Sequence, residues 1–358
     1  MRKIKFICSI LFAVCLIVLV SSSKRQTTVF IIGDSTAAEK DISKGSPERG
    51  WGMMLQGCFS EDIVVDNHAR NGRSSRSFRD EGLWQKVMDK IKPGDYVFIQ
   101  FGHNDEKHDI PGKSKRFAKP GTSFDANLEH YVRETREKGG IPVLFNCVER
   151  RLFFDARLKK NDAEKTAELS AAEKKGAADD EALRDVKYSE EEVNTEYLVA
   201  THYTEDGDYT AAPYLVAKRL NVPFVDANRI THWIETEYGV EGSRKLHMWL
   251  KPGEVASIPK GRKDNTHYNI YGARVVANRL ADAIGEAVPA LKEHVRHYDY
   301  VVSKEGRGNF FTIEEAVKAI PAGKQATVLV LDGTFKKPQA VKGVKYEIRP
   351  KAVIKKIR

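Results

Sequence analysis

Three short runs of β-branched and aromatic residues each stop at a polar loop that carries glycine, and this recurrence narrows what the chain can fold into. The first run, Thr28-Val29-Phe30-Ile31-Ile32, stops at Gly33-Asp34-Ser35. The second, over 62–69, stops at Arg70-Asn71-Gly72-Arg73-Ser74-Ser75-Arg76-Ser77, and the third, over 96–101, at Gly102-His103-Asn104-Asp105. Val, Ile and Phe in such runs suit strands buried on both faces. A short helical segment is predicted from Gly50 to Leu55, and the spacing of Phe78, Leu83, Val87 and Ile91 predicts a helix over 78–91. Further on, the pattern predicts a helix over 124–138 ended by Gly139-Gly140, a strand over 141–148 and a helix over 211–220. It continues with an extended run at 222–227, a helix over about 229–238 and a closing helix that opens at Tyr271. Alternation of this kind predicts a mainly parallel sheet with helices on both faces, a three-layer α/β/α sandwich. Ligands bind at the carboxyl ends of such strands. Gly33 is read as the residue that permits a tight exit there, leaving the Ser35 hydroxyl uncovered as a nucleophile.

The amino terminus is of a different kind. Arg2, Lys3 and Lys5 precede an uncharged apolar run over 6–20, followed by Ser21, Ser22 and Ser23. The run is shorter than the roughly 20 residues of a spanning helix, so 1–23 reads as a cleaved secretory signal peptide, with no stable membrane insertion afterwards. The expected location is the periplasm, the exterior or the cell surface. Removing three of 59 basic residues lowers the formal charge from +9 to +6. A basic secreted protein favours a polyanionic partner such as an acidic polysaccharide, through long-range attraction. No nucleic-acid partner is expected, and the oligomeric state is left open. Only Cys58 and Cys147 remain after cleavage; they could pair in an oxidising compartment, or be buried singly as small hydrophobes.

One stretch breaks the alternation. Over about 155–195 Lys, Glu, Asp and Ala dominate, and aromatic residues are absent between Phe154 and Tyr188. It is expected to be a solvated helical insertion, since it offers too little apolar surface for a core.

A serine nucleophile needs a base, an orienter for that base and donors for the oxyanion. Near the carboxyl end, Lys263-Asp264-Asn265-Thr266-His267-Tyr268-Asn269 sets an acid and an imidazole three residues apart, just before the closing helix. In a turn that spacing lets the carboxylate orient the ring, leaving His267 to face Ser35. Asp34 is expected to fix its own loop. His103 and His68 are expected to be structural rather than metal ligands, and no metal or cofactor is required.

Gly33-Asp34-Ser35, Gly72, Gly102-His103-Asn104-Asp105 and Asp264-Asn265-Thr266-His267 stand in the order and loop positions of the GDSL/SGNH hydrolases. Over about 27–288 the chain resembles the rhamnogalacturonan acetylesterase branch of that family. The resemblance implies the SGNH fold, Ser35 as nucleophile, His267 as base and Asp264 as orienter. It also implies an oxyanion hole made by the backbone N–H of Ser35, Gly72 and Asn104. The implied reaction is removal of O-acetyl groups from an acetylated pectic polysaccharide through an acetyl-serine intermediate. Arg73 and Arg76, beside the site, are candidates for contacts with galacturonate carboxylates, and His103 is a further candidate substrate contact. Two other readings are a general esterase or lipase on small or lipid esters, and a non-catalytic pectin-binding protein on an esterase scaffold.

The sandwich is expected to occupy 24–296. From His297 the sequence resembles the opening of a pectinesterase, which implies a short β-rich tail like the first coil of a parallel β-helix over 297–358. The segments that would carry pectinesterase catalytic aspartates have no counterpart, so no methylesterase activity is expected. A lone coil cannot bury its stacking face. The tail must therefore pack on the esterase domain, join another chain or remain poorly ordered.

Overall fold

The computed structural model describes residues 25–108, 115–154, 197–198 and 201–355. The signal peptide expected at 1–23 and the insertion expected at 155–195 lie outside the described residues. The strands are β1 (Thr27–Gly33), β2 (Glu48–Arg49), β3 (Ile63–Asn67), β4 (Tyr96–Gln100), β5 (Ile141–Phe145), β6 (Phe153–Phe154), β7 (Tyr197–Leu198), β8 (Tyr203–Thr204), β9 (Gly207–Asp208), β10 (Phe224–Val225), β11 (Tyr268–Asn269), β12 (Tyr300–Ser303), β13 (Ala326–Lys336), β14 (Val344–Ile348) and β15 (Ala352–Lys355). Five of them form the central sheet in the order β10-β5-β4-β1-β3, every pair parallel. The chain lays β3 on one side of β1 and then β4 on the other, so the strand order reverses at β1. In open α/β sheets that switch point is where a crevice opens beyond the carboxyl ends, and Ser35 lies two residues past the end of β1.

Alternation along each strand builds two cores. Val29, Ile31, Phe98, Val143 and Phe145 face one side, where Trp51, Met54, Val276, Leu280 and Ile284 cover them. Phe30, Ile32, Val97, Ile99 and Leu144 face the other, under Phe78, Val87, Leu128, Tyr131 and Val216. This is an α/β fold with a mainly parallel sheet between helical layers. Cys58 belongs to the first core and Cys147 to the second, on opposite sides of the sheet, and both are free and buried. Burial as small hydrophobes is therefore the outcome, and a disulfide between them is not.

Several boundaries differ from those expected. The helix read over 78–91 is two helices, Ser75–Asp80 and Leu83–Met88, parted by Gly82 in the left-handed region at φ 69°. The first begins earlier than the apolar spacing suggests because Ser74 and Ser77 form a reciprocal capping box, a polar signal that apolar periodicity does not register. The segment expected over 229–238 runs over Ala227–Ser243 with a kink at Gly239, and the closing helix spans Ile270–Ala287. The helix Ala211–Leu220 keeps the expected bounds. Among the described residues no helix is long and apolar enough to cross a membrane.

The C-terminal segment forms a separate parallel sheet, with β13 paired to β12 and β14 along its first half and to β15 along its second. Val302, Ile313, Ala316, Val328, Val330 and Phe335 make its small core. Of the three fates open to this tail, packing on the main body is the one observed. Arg349 Nη2 donates to the Phe59 carbonyl at 2.9 Å, and the buried Arg49 Nε donates to the Gly306 carbonyl at 2.9 Å. The likeness to a pectinesterase opening is carried by the sequence alone.

Candidate active site

The site begins with β1. Gly33 is the last strand residue, in register with Gln100 of β4, and a Cβ on it would stand 2.6 Å from the Gln100 carbonyl oxygen. Close approach between strands, rather than a left-handed turn, is what excludes a side chain there. Beyond it, Asp34 Oδ1 accepts from the Thr36 N–H at 2.9 Å and the Thr36 hydroxyl at 2.7 Å, a local turn that fixes the Ser35 backbone. Burial pushes the Asp34 carboxyl up, against those donors. Asp34 holds its own loop, as expected.

The second part comes from the loop between His247 and the closing helix. Asp264 Oδ1 accepts from the Thr266 and His267 N–H groups at 2.8 and 3.0 Å, an acid-led turn that closes over three residues. That turn brings Asp264 Oδ2 to 2.8 Å from His267 Nδ1, and His267 Nε2 to 2.9 Å from Ser35 Oγ. With the ring proton on Nδ1, both contacts are hydrogen bonds, Nδ1–H donating to the carboxylate and the serine hydroxyl donating to Nε2. Burial disfavours the Asp264 charge, but His267 and Arg262 outweigh it and hold the carboxyl well below the usual range. Three residues that the sequence separates by up to 232 positions thus form one hydrogen-bonded line in a buried setting.

The oxyanion side uses the second and third loops. Gly72 has φ 73°, a left-handed turn position, and a Cβ on it would meet nothing within 4 Å, so its backbone lies open to an approaching group. Asn104 Nδ2 donates one hydrogen to the Arg73 carbonyl at 3.1 Å and keeps its second. Asp105, to which sequence reasoning assigned no role, locks the two loops together. Its Oδ1 accepts from the Ser75 N–H at 2.9 Å and from the Ser75 hydroxyl, and its Oδ2 accepts from the Gly102 N–H at 3.1 Å.

Of the residues considered for substrate contact, Arg73 pairs with Glu81 at 2.8 Å and Arg76 with Asp80 at 3.4 Å, all four side chains substantially exposed. They form surface ion pairs. His103 is buried, its ring nitrogens have no hydrogen-bond partner, and its ring meets that of His202 edge-on at 4.4 Å. Burial together with His202 and Arg150 pushes its pKa well down. With both ring nitrogens buried, His103 presents no polar ring atom to solvent in this conformation. Its neighbour Glu106 pairs with Arg150 and with His202 Nδ1, the latter at 2.9 Å. His68 pairs with Asp66 at 3.1 Å on edge strand β3. Among the described residues no group of three or more His, Cys, Asp or Glu side chains is arranged to hold a metal ion.

Two features had no sequence signal. Arg262 contacts Asp264, Glu48 and His267 at once, because β2 pairs antiparallel with β11, Asn269 opposite Glu48, immediately after His267. On the other flank of the same loop, Trp249 Nε1 donates to Asn265 Oδ1 at 2.9 Å. Arg151, Arg244 and Lys263 stand 5.0, 4.6 and 5.7 Å from its ring centroid.

The chain is similar to known proteins in sequence and in fold. The GDSL-like Lipase/Acylhydrolase family matches residues 31–208. Rhamnogalacturonan acetylesterase RhgT of Bacillus subtilis is 32% identical over 284 residues, covering 79% of this chain and 98% of that protein. The rhamnogalacturonan acetylesterase of Emericella nidulans is 28% identical over 274 residues, covering 76% of this chain and 91% of that protein. Among solved structures, Bacillus subtilis protein YxiM superposes with a TM-score of 0.51 at 21% identity, a likeness of fold. The match covers 74% of this chain, and the chain spans 58% of that protein's length.

Proposed function

Because the chain belongs to the GDSL-like lipase/acylhydrolase family and is a carboxylic ester hydrolase, we propose that it removes O-acetyl groups from pectic polysaccharide of the rhamnogalacturonan type. The observation that carries the chemistry is the line from Ser35 Oγ through His267 to Asp264. Two relatives bearing the name rhamnogalacturonan acetylesterase support the substrate.

In this mechanism His267 Nε2 takes the Ser35 proton while Oγ bonds to the acetyl carbonyl carbon. The carbonyl oxygen becomes negative and is met by the N–H groups of Ser35 and Gly72 and the second hydrogen of Asn104 Nδ2. Preorganised donors of this kind lower the barrier most where charge develops. The bond to the sugar oxygen then breaks, and His267 returns its proton to that oxygen. Water loses a proton to His267 and attacks the acetyl-serine; the bond to Oγ breaks, acetate leaves and His267 returns the proton to Ser35 Oγ. Asp264 holds the Nδ1–H tautomer and stabilises the imidazolium in each half-reaction.

The acidic polymer suits the basic chain, and Lys263 beside the Trp249 ring gives a galacturonate carboxylate a partner where Arg73, Arg76 and Arg244 are engaged by Glu81, Asp80 and Glu241. Action outside the cytoplasm follows from the reading of 1–23 as a signal peptide.

The test is acetate release from acetylated rhamnogalacturonan, acetylated xylan and a short acyl ester, by wild type and Ser35→Ala. Preference for the first with an inactive variant supports the proposal. Equal rates on all three would make the protein a general esterase, and a fully active Ser35→Ala would remove the nucleophile assignment.

A further inference from the structure

We propose that Glu48 is a positioning residue that joins the base side of the site to the oxyanion side through Arg262 and Lys40. The inference deepens the reading above and rests on His267 being the general base.

The contacts form a chain of alternating charge. Arg262 Nη2 donates to Asp264 Oδ2 and stands 3.3 Å from His267 Nδ1, while Arg262 Nη1 donates to Glu48 Oε2. The other Glu48 oxygen accepts from Lys40 Nζ at 2.8 Å, and Lys40 Nζ also donates to Asn71 Oδ1 at 2.8 Å. Asn71 precedes Gly72, whose N–H is an oxyanion donor. The Lys40, Glu48 and Arg262 side chains are 4%, 14% and 13% exposed, so solvent screens the chain little.

Arg262 cannot donate to His267 Nδ1, because that nitrogen already carries a hydrogen directed at Asp264. What faces the ring is a cation, and a cation there opposes the imidazolium that forms as Ser35 is deprotonated. Glu48 offsets this by balancing Arg262, and Arg262 in turn fixes Asp264. Among the described residues, the ionisable groups with an electrostatic or direct contact to His267 include Asp264, Arg262, Glu48, Asp34 and His103. Glu48 is the one among them that reaches the Gly72 loop, through Lys40.

The experiment measures hydrolysis of a short acyl ester against pH for wild type, Ser35→Ala, Glu48→Gln, Glu48→Asp and Glu48→Gln/Arg262→Gln, with a thermal melt of each. Glu48→Gln is expected to lose at least tenfold in kcat with KM within twofold of wild type. The acid limb of its kcat/KM profile is expected at lower pH, since an unbalanced cation makes His267 harder to protonate. Removing that cation in the double variant is expected to return the limb toward its original position, and Glu48→Asp to recover part of kcat. A melt below assay temperature for Glu48→Gln shifts the reading to Glu48→Asp, whose kcat must then lie between wild type and zero with KM unchanged. Wild-type kcat and an unmoved limb in the Gln variant, or a double variant no different from it, overturn the proposal. Loss of activity in Ser35→Ala alongside a normal Glu48→Gln defeats this inference alone, whereas an active Ser35→Ala defeats the reading beneath it.

Discussion

A methyl group on Gly33 would stand 2.6 Å from the carbonyl oxygen of Gln100, closer than any stable contact. The two residues are partners in the β1–β4 ladder, so relief requires the strands to part just before Ser35. Gly33→Ala is expected to cost about 1–3 kcal/mol, as overpacking does, and to turn Ser35 away from His267. A lowered melting temperature together with a lowered kcat would bear this out; a variant equal to wild type in both would show that β1 has slack.

Asn104 has one amide hydrogen on the Arg73 carbonyl and one to spare. Asn104→Ala is expected to reduce kcat by about 10²–10³-fold, the usual loss for one oxyanion donor, while KM for a small ester stays within a few fold. Steady-state kinetics on a chromogenic acetate ester checks it, and a change confined to KM would exclude the role.

Stability in acid is set in part by buried carboxylates. Burial opposes the charge on Glu106, yet Arg150 and His202 outweigh it and bring its pKa down to about 2, from an ordinary value of 4.5. A depressed carboxylate stabilises the fold fully above its unfolded pKa, and that contribution drains away as pH falls from about 4.5 toward 2. For Glu106 it is on the order of 3 kcal/mol. Denaturant titrations from pH 6 down to pH 2.5 are expected to show this slope. In Glu106→Gln the slope flattens and stability at neutral pH drops by about 3 kcal/mol, because the buried pairing of Glu106 with Arg150 and His202 is lost. An unchanged slope would contradict the assignment.

Arg349 joins the C-terminal sheet to the main body through the Phe59 carbonyl, and its guanidinium also reaches Tyr298 Oη at 2.9 Å. Arg349→Ala leaves a buried carbonyl without that donor, a loss of about 1–3 kcal/mol. Faster proteolysis within 297–355, with the sandwich itself still protected, is the expected result. Equal protection in variant and wild type would mean that apolar contacts alone hold the sheet.

The central sheet was legible because its strands are apolar on both faces and each ends in a marked loop. Helix limits were less so: the Ser74–Ser77 cap and the left-handed Gly82 are decided by polar groups and backbone freedom, which apolar spacing does not record. Ser35, Asp264 and His267 could be picked out because the local turn at 264–267 writes its geometry in the sequence. Glu48 and Arg262 could not, since their meeting depends on pairing between β2 and β11, some 220 residues apart. The arginines at 73 and 76 drew attention by position, and only the acids beside them in space show what they bind.

Strand β2 is two residues long, and its members look opposite ways. Glu48 turns toward Arg262, and Arg49 toward Gly306 in the turn after β12. Parity along the backbone therefore sorts one charge to the reaction and the other to the scaffold. A one-residue deletion among 44–47 would leave both side chains in the protein and exchange their faces, aiming a guanidinium where the carboxylate belongs. At this strand an unchanged count of residues before Glu48 matters as much as the identity of Glu48 itself.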